Sequence, residues 1–193
     1  MHGFMNGLAR FMAVVGGLVL TALILLICIS VLGRAINTLL YSGPVVAVLG
    51  DFANTLLATG VGPILGDFEL VEAGVAFAIF SFIPFCQVTA GHATVDIFTS
   101  GLSVRVNRLI QMVVDIVFAA VLILIALQLY EGMLSKMQYR ETTFLIQFPV
   151  WWSYAASLVA AIVAAVVGVY VAFVRLAEFF GNRTIMSVGG ADH

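Results

Sequence analysis

Four stretches of the chain run without a single Asp, Glu, Lys or Arg: 11–33, 73–91, 116–130 and 149–174. A helix needs about 20 apolar residues to cross the roughly 30 Å hydrocarbon core of a bilayer. Each run reaches or approaches that length, the third once its polar start is included. The pattern predicts an all-α membrane protein, a single integral domain of four transmembrane helices at about 11–33, 69–91, 107–130 and 150–175. The first apolar run is longer than the core of a typical signal peptide, and no small-x-small cleavage site follows it, so it reads as a retained span.

The segments between these runs carry the polarity. Between the first two spans, the 35–66 connection is broken by Gly43-Pro44, Gly50, Gly60 and Gly62-Pro63 into pieces too short to cross. One piece, 45–59, sets Val46, Leu49, Ala53, Leu56 and Leu57 at near-helical spacing, with Asp51, Asn54 and Thr55 elsewhere on the turn. It reads either as a short interfacial helix lying on the outer leaflet or as an apolar loop packed on the spans or on a partner. The second and third spans are joined by a polar elbow, 91–106, and the last span opens on "PVWWSY", whose Trp151 and Trp152 are residues that settle at headgroup level.

Composition agrees with the pattern. Hydrophobic residues make up 63% of the 193 and charged residues 9%, against about 25% charged in a soluble domain. A formal charge of -2 and scattered basic residues leave no nucleic-acid footprint. Cys28 and Cys86 form no CxxC pair and read as small packing residues inside spans. Arg10, Arg105, Arg108, Arg175 and Arg183 fall on one side of a four-span chain, and Arg34, Lys136 and Arg140 on the other. The positive-inside bias therefore predicts that both termini are cytoplasmic.

Ionisable groups at the spans need partners, because a charge in hydrocarbon is costly unless paired or hydrated. Arg34 closes the first span while Glu69 and Glu72 open the second, which suggests an ion pair between Arg34 and one of the two acids that staples these helices. Arg108, Gln111 and Asp115 share one face of the third span and should point at protein. Pro84 should bend the second span. In the last span, Ala156, Ala160, Ala164, Gly168 and Ala172 recur at every fourth position beside a second series, Ser153, Ser157, Ala161 and Ala165. Such stripes let helices approach closely. One is expected to serve the chain's own bundle and the other a partner protein. In the elbow, His92 and Asp96 sit one turn apart near Arg105. They lack the further ligands of a metal site and any adjacent nucleophile, so a capped or ion-paired elbow is favoured over a catalytic dyad.

Several of these features together resemble a known family. Arg34 at the end of the first span, "FELVE" opening the second, "GHATVDIF" followed by "LSVRVNRLIQMVVDIV", and "RETTFLIQFPVWWSY" before the fourth are similar to the small membrane subunit of tripartite ATP-independent periplasmic (TRAP) transporters, the DctQ-like family. The likeness covers roughly residues 17–180; the 35–66 connection is longer than the family's usual loop. The resemblance implies a non-enzymatic, cofactor-free permease subunit in the inner membrane of a bacterial or archaeal cell. It would brace a large TRAP permease subunit and offer outer surface to a periplasmic substrate-binding protein, in secondary active, sodium-coupled uptake of an organic acid. Membrane lipids would be its other contacts. Two rivals follow from the residues alone: a self-sufficient small transporter or channel with Asp115 as its intramembrane charge, and a four-helix electron carrier. The latter would need paired histidines inside spans, whereas His2, His92 and His193 lie outside the predicted ones.

Overall fold

The computed structural model describes residues 2–42, 55, 58, 60, 62–89 and 104–181. Over these residues it contains four long helices: α1 (His2–Leu40), α2 (Asp67–Val88), α3 (Val104–Gln138) and α4 (Trp151–Gly181). All four are long and apolar enough to cross a membrane. Their lengths differ in a way the charge-free runs did not reveal. At 1.5 Å per residue, the 22 residues of α2 reach about 33 Å, close to the hydrocarbon thickness. The 39 residues of α1 and 35 of α3 reach about 58 and 52 Å. Arg10 and Arg105 do not stop a helix, so α1 and α3 continue past the apolar run until a breaker intervenes, and must tilt or project beyond the hydrocarbon. The stretch proposed as an interfacial helix, 45–59, lies outside the described residues apart from positions 55 and 58, and so do His92 and Asp96 of the elbow.

Helix α2 starts where Gly66 adopts a left-handed conformation, φ 77°, that suits glycine. Asp67 and Glu69 follow in its first turn, where acidic side chains favour the positive end of the helix dipole. Helix α3 ends at Gln138, and two residues on Arg140 turns left-handed at φ 50°. A small hairpin closed by a Thr142–Pro149 bridge then leads into α4.

The helices form a row rather than a closed bundle. Along it the order is α1, α2, α4, α3: α1 packs on α2, α2 on α4, and α4 on α3, with only slight contact between α1 and α4. Buried residues make up 56% of the most apolar stretch of α4 but 11% of those of α1 and α3, so α4 is the spine and the other two are edges. The beginning of α1 and the end of α4 lie together, since Met5 and Leu8 pack against the Val167 and Val171 cluster. That end of the row is called here the terminal end, and the opposite one the hairpin end.

The small residues of α4 explain its central place. Ala160, Ala161 and Ala164 are fully buried and Ala165 nearly so. Leu122 of α3 packs with Ala164 and Ala165 in one cluster that Ile83 of α2 and Phe118 of α3 complete. A Cβ added at Gly168 would press on Gln87 of α2 and Leu122 of α3 at once. This corrects the expectation that one small series faces a partner protein: both central portions are covered by helices of this chain, because a helix with neighbours on two sides needs two small faces. Close approaches at Gly16 to Ser81 and at Gly74 to Leu23 likewise hold α1 on α2. Cys28 departs from expectation too, as it is exposed rather than packed.

Candidate functional site: the charged groups of the helix row

At the hairpin end the Arg34 staple exists, with a different acid. Asp67 Oδ2 lies 3.7 Å from an Arg34 guanidinium nitrogen and accepts a 2.6 Å hydrogen bond from Ser30 Oγ. Its other oxygen accepts from the Phe68 amide at 2.8 Å. Ser30 Oγ in turn accepts from the Ile64 amide at 3.2 Å, so the connection entering α2 is tied to α1 by the same hydroxyl. The Asp67 side chain is almost buried whereas half of Arg34 is exposed, its guanidinium also lying 5.9 Å from the Phe68 ring centre. Expecting Glu69 or Glu72 as the partner was therefore wrong. Two positions along a helix turn a side chain by about 200°, so Asp67 faces α1 while Glu69 faces the other way.

Glu69 has a separate task. Its two carboxylate oxygens accept from the amides of Leu145 and Ile146 at 2.7 and 3.0 Å, holding the hairpin tip on the start of α2. The hairpin is closed by the Thr143 amide donating to the Phe148 carbonyl at 2.9 Å, and the Phe148 amide donating to Thr143 Oγ1 at 3.0 Å. Lys136, in the last turn of α3, pairs with Glu141 at the hairpin's base. Trp151 and Trp152 meet edge to face at 5.7 Å, with Trp152 also against Phe148. Glu72 stands exposed one turn beyond Glu69, at a cleft between α2 and α3 that has α4 as its floor.

The terminal end has its own ion cluster. Arg175 of α4 lies with Nε 3.3 Å from Asp115 Oδ2 of α3, an ion pair without a well-aligned hydrogen bond. Its Nη1 donates to Glu178 Oε2 at 3.0 Å. Asp115 thus meets protein, and it is neutralised by a residue read from the sequence only as a boundary charge. Arg105 and Arg108 line a shallow cavity beside Phe179 at this end. Between the two ends, Gln87 is buried against Gly168 with both amide atoms unbonded.

Of the residues singled out from sequence, the structure brings Asp115 to Arg175, Glu69 to the hairpin, and Ala160, Ala164 and Gly168 to the α4 interfaces. It does not bring Glu69 or Glu72 to Arg34. Asp67, Ser30, Gln87 and the Arg175 and Glu178 pair were missed; Gly66 was a weak local signal, since glycine is tolerated at a helix N-cap and there makes Asp67 the first helical residue. Among the described residues no three of His, Cys, Asp and Glu stand close enough to hold a metal ion. The charged groups mostly bond to one another or to backbone, and what they do chemically is fix helices at two levels.

The whole set of features falls within a single family match. Residues 23–179 fit the family described as tripartite ATP-independent periplasmic transporters, DctQ component. No curated protein and no solved structure matches the chain. The match spans most of the sequence and takes in the second half of α1, all of α2 and α3 and nearly all of α4, so this multi-pass membrane protein belongs to the DctQ family and is a small permease component of a TRAP transporter, not an enzyme.

Proposed function

We propose that this subunit braces the scaffold of the large TRAP permease and helps the periplasmic substrate-binding protein to dock, in sodium-coupled, secondary active uptake of an organic acid. Both termini then lie in the cytoplasm of a bacterial or archaeal cell, and the hairpin end faces the periplasm across the inner membrane. The observation that carries this reading is the open row. Its interior charges are spent on holding helices together, as in the Asp67 and Arg175 clusters, while α1 and α3 keep broad apolar faces available to another protein or to lipid. A self-sufficient transporter would want Asp115 available to an ion, whereas it is engaged by Arg175.

Reconstitution tests the proposal. Proteoliposomes holding this chain with its large subunit should take up a radiolabelled organic acid under a sodium gradient when the binding protein is added, and either membrane subunit alone should not. Uptake by this chain alone would overturn the accessory role, and undiminished uptake by the large subunit alone would overturn the brace.

A further inference from the structure

The cleft at the hairpin end has a volume of about 520 Å³ and a lining that changes character along its length. Near the mouth stand Glu72, Lys136 and Tyr154; one turn deeper on α2 and two turns deeper on α3 come Ala76 and Leu129. The rings of Phe144 and Phe148 line it from the hairpin. Of its charged groups, Glu69 is spent on the hairpin amides, and Lys136 gives one of its three ammonium protons to Glu141. Glu72 is different. Among the described residues it makes no hydrogen bond and no ion pair, and it stands exposed in the second turn of α2 with its charge unanswered.

We propose that this cleft holds the headgroup of a phospholipid bearing a primary ammonium, with the ammonium on Glu72, the phosphate toward Lys136, and an acyl chain running past Ala76 and Leu129. Three observations select that occupant. The cleft presents both signs of charge, which suits a zwitterion better than a simple cation. It is larger than one lysine or arginine side chain from a partner helix would fill. Its polar part lies at the end of the helix row and its apolar part toward the middle, which is the order of groups along a lipid. A primary ammonium can donate hydrogen bonds to the Glu72 carboxylate, and a trimethylated one cannot, so the site should discriminate between headgroups that carry the same charge.

The lipid measurement uses the full-length chain by itself and is thus independent of the transporter reading. The purified protein is equilibrated with mixtures of phosphatidylethanolamine, phosphatidylcholine and phosphatidylglycerol of matched acyl chains, and retained lipid is counted by native mass spectrometry. Retention of phosphatidylethanolamine over phosphatidylcholine is expected on the order of tenfold, the worth of one charge-assisted hydrogen bond. Glu72→Gln should bring the two close to parity. Its side chain is exposed and unbonded, so circular dichroism should show the fold intact. Ala76→Phe, which fills the cleft and leaves Glu72 in place, should remove the retained lipid. Equal retention of the two lipids by the unmodified chain overturns the proposal, as does a preference that survives Glu72→Gln. If Glu72→Gln instead abolishes copurification with the large subunit while lipid retention is unchanged, the cation belongs to a partner side chain and the lipid assignment is wrong.

Discussion

Asp67 shows why a residue's neighbours in space can be harder to read than its type. The sequence points Arg34 to Glu69 or Glu72; the structure gives it Asp67, the acid that shares its face, and leaves Glu69 for the hairpin. The energetics of the staple are unequal. Arg34 is half exposed, so its pairing is screened and weak, whereas Asp67 also satisfies the Ser30 hydroxyl in a nearly buried place. Asp67→Ala should therefore lower the unfolding temperature in detergent clearly more than Arg34→Ala, and equal effects would mean that the ion pair, not the Ser30 hydrogen bond, carries the stability. Gln87 makes the opposite case. Its amide is buried with neither atom bonded, a state that costs free energy without return. Gln87→Leu should stabilise the chain by about 1 kcal/mol. A loss of stability would show that the amide finds a partner in the assembled membrane protein.

At the scale of the helices, existence was legible and contact was not. Four long charge-free runs are enough to announce four spans, because a continuous apolar segment of that length satisfies its own backbone in hydrocarbon as a helix. Which helices touch depends on the shape of side chains that lipid and protein solvate almost equally. The stripes of α4 were visible in the sequence as close-packing faces, but nothing in their spacing said that α2 would take one and α3 the other. Gly168 lies where both meet it. Gly168→Leu should cost about 1–3 kcal/mol by overpacking, while Ala156→Leu, at an exposed position of the same series, should be nearly silent. Comparable losses at both sites would mean that the series has a partner over its whole length. The α3 and α4 pair is also locked electrostatically. Arg175→Met would leave Asp115 and Glu178 without the guanidinium they share, and the expected loss is about 3–5 kcal/mol. Restoring apolar character at all three positions should recover most of it; failure to recover would show that the cluster has a role beyond offsetting its own burial.

The molecule as a whole is an open row, and this was the least legible feature of all. Sequence order places α3 between α2 and α4, yet in space α4 lies between α2 and α3, joined to both by small residues. An open row has a consequence that a closed bundle lacks: α1 and α3 are held from one side each, and their remaining faces meet lipid or a second protein. Cross-linking of single chains by a short bis-maleimide tests this directly, after Cys28 and Cys86 are replaced by Ser. Cysteines at Leu23 and Gly74 should be joined across α1 and α2, and cysteines at Gly132 and Tyr154 across α3 and α4, since in each pair the larger side chain packs directly on the glycine. A pair at Leu25 of α1 and Ile123 of α3, both exposed mid-helix positions, should stay unlinked in samples dilute enough to prevent contact between copies. If that pair cross-links as readily as the first two, the helices close into a bundle, α1 and α3 cover each other, and the faces assigned here to lipid and partner are interior.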